Sequence, residues 1–139
     1  MNLVDSSGWI EFFQAGGNGP VFKPVIEDRN SLLVPTIALF EVHKVLSRRL
    51  PVDLVERCLN VMRLGRVLDF TDARAIAASQ IAVRHQLAMA DAAMYSMAQE
   101  LGATFWTQDA DYQGLAGVNY FPKTEADASE ARTNSIASP

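Results

Sequence analysis

The stretch Ala88-Met89-Ala90-Asp91-Ala92-Ala93-Met94-Tyr95-Ser96-Met97-Ala98 consists almost entirely of small and apolar residues. This composition predicts a helix that packs closely against its neighbours. At helical spacing, Asp91 shares a face with Met94, Tyr95 and Ala98. A buried ionised carboxylate is costly unless it is paired or holds a metal ion. Asp91 is therefore a candidate functional residue.

The composition is that of an ordinary globular domain. The chain has 139 residues, of which 49% are hydrophobic and 20% are charged. Its net charge of −4 argues against a nucleic-acid binder that works through a broad basic face, but not against an enzyme that brings phosphates in through metal ions. The single cysteine, Cys58, excludes an intramolecular disulfide and a multi-cysteine metal site, and its helical surroundings predict a buried thiol.

The sequence gives no sign of a membrane or secretory segment. It contains no apolar run of roughly eighteen residues or more, the length that a spanning helix needs. Residues 1–5 lack a basic region ahead of their apolar positions and reach an aspartate at once, so a secretory signal is not expected. We therefore expect a cytoplasmic protein.

Apolar strand patterns alternate with helical patterns along the chain. Strands are predicted at 3–4, 32–34, 66–70, 103–107 and 118–121, and helices at 9–14, 21–28, 36–49, 52–64, 72–85 and 91–101. The helix at 21–28 contains Pro24, which is expected to interrupt it. This alternation is typical of an α/β domain with a mainly parallel sheet and helices on both faces.

The boundaries of these elements carry capping and loop signals. Thr36 and Thr71 are predicted N-caps, and Gly102 is a predicted C-cap. The glycine-rich segment 16–20 lacks the ending of a phosphate-binding loop and is interpreted as a flexible connection. Residues 124–139 are small and polar, which predicts a disordered tail after a folded domain at 1–123.

Three further acids stand in positions as unusual as that of Asp91. Asp5 and Asp109 follow predicted strands, and ligands of a parallel sheet bind beyond the carboxyl ends of its strands. Asp91 begins a helix that leads into the fourth strand, so three acids are drawn towards one rim. Glu41 projects from an otherwise apolar side of its helix and, in mid-helix, has no capping role.

Convergence of these carboxylates would require a counter-charge. Two like charges about 4 Å apart repel by roughly 4 kcal/mol at an effective dielectric constant of about 20. Four in one pocket would cost several times that, against a total stability of ~5–15 kcal/mol for a domain. Either some of the acids take up protons or a divalent cation neutralises them. Oxygen ligands without nearby Cys or His select Mg²⁺ or Mn²⁺, which suit phosphodiester hydrolysis.

Plainer interpretations of these acids remain open. Asp5 could cap the following helix, although Ser6 could do so equally well. Asp91 could be an N-cap. Asp109 could form a turn, and Asp111 could replace it as a ligand, although Asp109 lies nearer the end of the strand.

Four segments, taken in order, resemble the successive motifs of PIN domains. They are LVDSS at 3–7, PTIALFEV at 35–42, MADAAMY at 89–95 and FWTQDADY at 105–112. The similarity is closest to the VapC-type toxins of bacterial and archaeal toxin–antitoxin pairs, and it covers about residues 1–123.

The resemblance implies a PIN-like three-layer sandwich whose five-stranded sheet has the order 3-2-1-4-5. It also implies a Mg²⁺- or Mn²⁺-dependent endoribonuclease, the toxin of a type II toxin–antitoxin pair, which hydrolyses RNA phosphodiesters with a metal-activated water. Such proteins are usually homodimers and are held inactive by a small cognate antitoxin protein.

Carried over position by position, the resemblance assigns both metal binding and catalysis to four acids, Asp5, Glu41, Asp91 and Asp109. It assigns supporting hydroxyls to Ser7 and Thr107, and the acid at Asp111 leaves the fourth ligand open. An apolar groove between the first helices is a predicted antitoxin docking site. Its candidate residues Trp9, Phe12 and Phe13 are also explained as plain core.

Two other functions compete with the nuclease. One is a non-catalytic interaction module that keeps the PIN fold. The other is a Mg²⁺-binding signalling receiver, which needs a phosphoacceptor aspartate at the end of its third strand and a lysine near the end of a later one. Here Asp69 falls inside the predicted strand 66–70, and no lysine ends the fourth strand.

Overall fold

A parallel five-stranded sheet forms the centre of the molecule. The computed structural model describes residues 1–125. The strands are β1 (Asn2–Val4), β2 (Leu32–Pro35), β3 (Arg66–Leu68), β4 (Thr104–Thr107) and β5 (Val118–Tyr120). They lie in the order β3-β2-β1-β4-β5, and every neighbouring pair is parallel. The expected α/β class and sheet order are confirmed.

Six α-helices connect the strands of the described chain. They are α1 (Ser6–Phe13), α2 (Gly19–Glu27), α3 (Thr36–Leu46), α4 (Val52–Met62), α5 (Asp72–His85) and α6 (Met89–Glu100). Two short 3₁₀ turns, Arg29–Ser31 and Ala110–Tyr112, precede β2 and follow β4. No helix in residues 1–125 is long and apolar enough to cross a membrane.

Helices cover both faces of the sheet. Successive residues of a strand point to opposite faces, and both Leu3 and Val4 of β1 have no exposed surface. The same holds for Leu33 and Val34 of β2. The helix α6 is buried continuously over residues 92–98, as its small and apolar composition predicts. The three-layer arrangement follows from this burial.

The strand order separates this fold from that of a signalling receiver. In the receiver fold the strands run 2-1-3-4-5, so the third strand is central. Here β3 is at the edge of the sheet, next to β2 alone. Asp69 directly follows β3 and is therefore at the sheet's margin rather than at its centre. The receiver alternative is wrong.

Several predicted boundaries differ from the structure. The first helix begins at Ser6 rather than at residue 9, because the Asp5 side chain caps it by accepting from the Gly8 N–H. The strand β3 ends at Leu68 rather than at residue 70. Pro24 does not interrupt α2. The carbonyl that Pro24 leaves without a donor belongs to Pro20, and both prolines are exposed, so water can reach it.

Of the predicted helix caps, Thr71 and Gly102 are confirmed and Thr36 is wrong. Thr71 is the N-cap of α5, and its hydroxyl accepts from the Arg74 N–H at 3.3 Å. Thr36 is not a cap: Pro35 is at the N-cap position and makes no side-chain bond, and α3 ends at Leu46 rather than at residue 49. Gly102 follows α6 with a left-handed φ of 63°, a conformation in which glycine is favoured.

The described residues end at position 125, two positions after the last residue of the predicted domain 1–123. Thr124 packs against Gly17, where an added Cβ would lie 2.5 Å from the threonine methyl group. The predicted disordered tail at 124–139 lies outside the described residues from position 126 onwards.

Candidate active site

The carboxyl ends of β1 and β4 hold the most deeply buried acid of the site. Asp5 follows β1, is 2% exposed and is surrounded by donors. Thr107, the last residue of β4, donates its hydroxyl to Asp5 Oδ2 at 2.7 Å, and Ser7 donates to Oδ1 at 2.7 Å. The Gly8 N–H donates to Oδ1 at 3.1 Å. Asp5 thus caps α1 and faces the site at once, so the two interpretations of this residue are compatible.

These three donors do not keep Asp5 in its ordinary ionisation range. Burial raises the pKa of the Asp5 carboxyl from 3.8 to about 7, and the nearby charge of Asp109 adds to the rise. The hydrogen bonds from Ser7, Thr107 and Gly8 act in the opposite direction but are outweighed. A nearby positive charge would lower this pKa, but no ion pair of Asp5 with a lysine or arginine forms within residues 1–125.

Glu41 reaches the same region from α3. The Ser6 hydroxyl donates to Glu41 Oε1 at 2.6 Å and also lies 3.5 Å from the Met94 sulfur on α6. Since Ser6 is adjacent to Asp5 in the chain, this bond brings the glutamate to the rim where Asp5 lies. From the sequence, Ser6 is predicted only as a possible helix cap. The adjacent hydroxyls of Ser6 and Ser7 are the available signal, since neighbouring residues of a helical turn point in different directions and can reach two different acids.

Asp91 lies in the first turn of α6 but is not its cap. The N-cap is Ala88, so the capping interpretation of Asp91 is wrong. Burial and the charges of Asp109, Glu41 and Asp111 together raise the pKa of the half-buried Asp91 to about 6, against a lowering effect of the nearby Tyr112 hydroxyl. The charges of Glu41 and Asp109 thus act on Asp91, and the charge of Asp109 also acts on Asp5.

Asp109 and Asp111 lie beside Asp91. One carboxylate oxygen from each of the three residues falls within 4.8 Å of the others. Asp109 is fixed by two bonds, because its N–H donates to Thr107 Oγ1 at 2.9 Å and its carboxylate accepts from the Asp111 N–H at 2.9 Å. Asp109 raises the pKa of both Asp5 and Asp91, whereas Asp111 acts on Asp91. Asp109 is thus the acid of this pair whose charge acts on both Asp5 and Asp91.

No lysine or arginine forms an ion pair with these acids in residues 1–125. The ion pairs of the described chain join Lys23 to Glu27, Arg63 to Glu56 and Arg74 to Glu100. All of them lie on other parts of the surface. We call the region of Asp5, Glu41, Asp91, Asp109 and Asp111 the acidic rim. Its negative charge is therefore not balanced by an ion pair with a basic side chain of the described chain.

A buried amide fixes the loop that carries Asp109. The Asn18 side chain donates to Gln108 Oε1 at 3.1 Å and to the Pro122 carbonyl at 2.9 Å. The N–H of Gln108 in turn donates to Ser7 Oγ at 3.3 Å. The segment 16–20, interpreted from sequence as a flexible connection, thus anchors the site. Nothing in the sequence near Asn18 signals contacts that span about ninety residues of chain.

The aromatic residues predicted to line an antitoxin docking groove differ in their burial. Trp9 has no exposed surface, so its interpretation as plain core is confirmed and its alternative place in an exposed groove is wrong. Phe12 and Phe13 are partly buried and border an apolar groove. Cys58 lines the same groove and is half-buried rather than buried, and partial burial raises its pKa.

Several solved structures share this fold, among them a toxin–antitoxin complex and a toxin. A toxin–antitoxin complex from Klebsiella pneumoniae aligns with a TM-score of 0.73 at 18% identity, over 88% of this chain and 99% of that one. VapC20 from Mycobacterium tuberculosis, a Sarcin-Ricin loop cleaving toxin, aligns with a TM-score of 0.71 at 19% identity, over 84% and 95%. FitAcB from Neisseria gonorrhoeae aligns with a TM-score of 0.65 at 21% identity, over 87% and 96%.

Sequence comparison gives the family. No curated protein matches the chain significantly. The family model of the PIN domain, however, matches residues 3–118, which include the four predicted acids, the whole of β2, β3 and β4, most of β1 and the first residue of β5. This range covers most of the chain, and it agrees with the resemblance of the four sequence motifs. The chain therefore belongs to the PIN domain family.

Proposed function

We propose that this protein is a Mg²⁺- or Mn²⁺-dependent endoribonuclease that acts as the toxin of a type II toxin–antitoxin pair. The observation that carries the proposal is the convergence of Asp5, Glu41, Asp91 and Asp109 at the carboxyl ends of β1 and β4. Two of these acids have raised pKa values, which is typical of functional sites.

The residues of the site fit a hard divalent cation. The candidate ligands are all carboxylate oxygens, which Mg²⁺ and Mn²⁺ prefer. Two ligand oxygens on opposite sides of one Mg²⁺ are about 4 Å apart, and the oxygens of Asp91, Asp109 and Asp111 already lie within 4.8 Å of one another. A dication would also favour the ionised form of Asp5 and Asp91, since it would offset the burial that now raises their pKa values.

In this proposal the protein's own residues hold and orient the ligands. Asp5, Asp91 and Asp109 are the main ligands, and Glu41 completes the acidic set. The hydroxyls of Ser7 and Thr107 fix the Asp5 carboxylate from both sides. When bound, the cation supplies activation of a water molecule and stabilisation of charge on the scissile phosphate. The carboxylates act as ligands and not as nucleophiles.

The proposal of an RNA substrate rests on the structural neighbours. One of them, VapC20, is described as a toxin that cleaves the Sarcin-Ricin loop. The acidic rim of this protein and its net charge of −4 would repel a nucleic acid in the absence of a cation. RNA cleavage by this protein should therefore depend strictly on added divalent metal.

An apolar groove supports the proposed antitoxin partner. It lies between the ends of α1 and α2 and one side of α4, and it has a volume of about 460 Å³. Its apolar lining is Phe12, Phe13, Ile26, Cys58 and Val61, and the charged residues Glu27, Arg29 and Arg57 also line it. Since two of these three charges are positive, a segment with an apolar face and an acidic flank would fit this lining. One structural neighbour is described as a toxin–antitoxin complex, and another as a member of a family of toxin–antitoxin systems.

Exposed apolar side chains support the proposed homodimer. Phe40 on α3 is 66% exposed, Val83 on α5 is 80% exposed and Met89 at the start of α6 is 70% exposed. Both α3 and α5 pack against α6, so these side chains occur on neighbouring elements. If they form one contiguous patch in the dimer, they would supply an association surface, since contiguous apolar patches mark such surfaces.

Cleavage of a structured RNA by the purified full chain tests the proposed activity. We expect cleavage with Mg²⁺ or Mn²⁺, none with EDTA, and none from the Asp91→Asn variant in either metal. The matched control is Asp53→Asn, which removes an exposed acid in the first turn of α4 and should leave the activity unchanged. A folded wild-type protein that binds metal but cleaves no RNA would instead support the non-catalytic interaction module.

A further inference from the structure

The fully buried Tyr112 lies next to the acidic rim. It ends the 3₁₀ turn Ala110–Tyr112 that follows β4, and its side chain has no exposed surface. Its ring packs against Phe105 with centroids 4.6 Å apart and lies 6.3 Å from the ring of Tyr95. A phenylalanine ring would fill the same space, so packing alone does not explain the hydroxyl.

The Tyr112 hydroxyl has no standard hydrogen bond with any residue of the described chain. Asp5, Asp91 and Asp109 lie near it, and Asp91 is the carboxylate within its hydrogen-bonding reach. A phenol carries its proton at neutral pH, so this hydroxyl can act as a donor. A buried polar group without a partner costs stability, so such a group calls for an explanation.

Another buried tyrosine in the same aromatic cluster shows the contrast. The hydroxyl of Tyr95 donates to the Ala116 carbonyl at 2.6 Å and accepts from the Gln99 amide at 2.8 Å. These contacts lie among neutral groups, on the side of the cluster away from the acids. The fold thus satisfies one tyrosine hydroxyl completely and leaves the hydroxyl of Tyr112 directed at the acidic rim.

We propose that Tyr112 is a positioning residue of the metal site, which donates its hydroxyl proton to the Asp91 carboxylate when a divalent cation is bound. This inference rests on the proposed metal dependence of the site. A carboxylate that binds a cation through one oxygen keeps acceptor capacity on the other, and a fixed donor there holds its orientation. Partners of this kind typically contribute 10- to 100-fold to metal affinity.

The test compares two variants that each remove one buried hydroxyl, Tyr112→Phe and Tyr95→Phe. The binding of Mn²⁺ to the full chain is measured by calorimetry, and the stability of the metal-free chain by urea unfolding. For Tyr112→Phe we expect the Kd for Mn²⁺ to rise by about 10- to 100-fold, with the metal-free urea midpoint unchanged or higher. For Tyr95→Phe we expect a lower urea midpoint and a Kd within about 2-fold of the wild type.

Two results would overturn the role of Tyr112. The first is a Kd for Mn²⁺ that is the same in Tyr112→Phe and in the wild type. The second is an equal rise in Kd in both variants, which would mean that any loss of a hydroxyl from this cluster loosens the site. A wild-type chain that binds no Mn²⁺ would give a different result, because it would contradict the proposed metal dependence itself and the role of Tyr112 with it.

Discussion

The two ends of β4 differ in how completely their buried polar groups are satisfied. At the amino end, the Tyr95 hydroxyl donates to the Ala116 carbonyl and accepts from Gln99, and no acid takes part. At the carboxyl end, Asp5 and Asp91 are surrounded by further acids, and burial raises their pKa values to about 7 and about 6. The first end contributes to stability, whereas the second carries charge that the described chain does not balance.

Because of this difference, residues near one end of β4 should determine the stability of the fold and residues near the other end its proposed activity. A change at the amino end should weaken the fold and leave the proposed chemistry intact. A change at the carboxyl end should abolish the chemistry and, in the metal-free protein, relieve repulsion. Carboxyl groups with raised pKa values, such as Asp5 and Asp91, cluster at the functional sites of proteins.

The largest effect is expected for Asp5→Asn. Asparagine caps a helix as well as aspartate does, so α1 should remain intact. RNA cleavage should fall to the level of the no-enzyme control, while the free energy of unfolding of the metal-free protein at pH 8 should rise by about 1–3 kcal/mol. Cleavage assays and urea unfolding measure the two quantities.

The control for this variant is Tyr95→Phe, which should give the opposite pair of results. It should keep its activity and lose about 1 kcal/mol of stability with the bond to the Ala116 carbonyl. An Asp5→Asn protein that keeps both its activity and its stability unchanged would show that Asp5 serves only as a cap.

The next effect is a fall in metal-free stability as pH rises. A carboxyl whose pKa is higher in the folded state favours folding while it is protonated. This contribution is complete below the unfolded pKa of 3.8 and is lost as pH rises through about 6 for Asp91 and about 7 for Asp5. For Asp5 the full shift corresponds to about 4 kcal/mol at most. The free energy of unfolding, measured with urea between pH 4 and pH 8, should fall by up to about that amount.

Two comparisons show whether the acidic rim causes this pH dependence. In Asp5→Asn the stability curve should be much flatter. In the wild type at pH 8, saturating Mn²⁺ should restore stability, by about 2.7 kcal/mol at a concentration 100 times its Kd. An identical pH dependence in the wild type and in Asp5→Asn would assign the effect to other groups.

A smaller effect is expected for Ser6→Ala, which removes the donor to Glu41. The Glu41 carboxylate would then lose its 2.6 Å bond while it keeps its place on α3. A hydrogen bond to a charged group contributes about 1.5–3 kcal/mol, so the cleavage rate should fall by about 10- to 100-fold. The matched control is Ser47→Ala, which changes an exposed serine at the end of α3. An unchanged rate in Ser6→Ala would exclude Glu41 orientation as a contribution of this serine.

The placement of the acids could be predicted from sequence where a general rule of the fold applies. Parallel strands bring their carboxyl ends to one edge, which placed Asp5 and Asp109 together. The continuous burial of α6 followed from its composition. The resemblance to PIN domains supplied the strand order, which alternation of strands and helices does not determine.

The contacts that hold the acids could not be predicted in the same way. The bond from Ser6 to Glu41 spans 35 positions, and the bond from Asn18 to Gln108 spans 90. Such pairs form only when the fold brings distant segments together, and a single polar residue in a loop carries no periodic signal of its partner. The buried position of Trp9 was open for a similar reason, since an aromatic residue suits both a core and an exposed groove.

Anomalous diffraction from crystals of the wild-type chain soaked in Mn²⁺ would locate the cation directly. We expect one or more anomalous peaks at the carboxyl ends of β1 and β4, with Asp5, Asp91 and Asp109 as ligands. Crystals of the Asp91→Asn variant should show no anomalous peak at this place. Crystals soaked in saturating Mn²⁺ that show no peak there, or a peak only elsewhere on the surface, would contradict the proposed metal site.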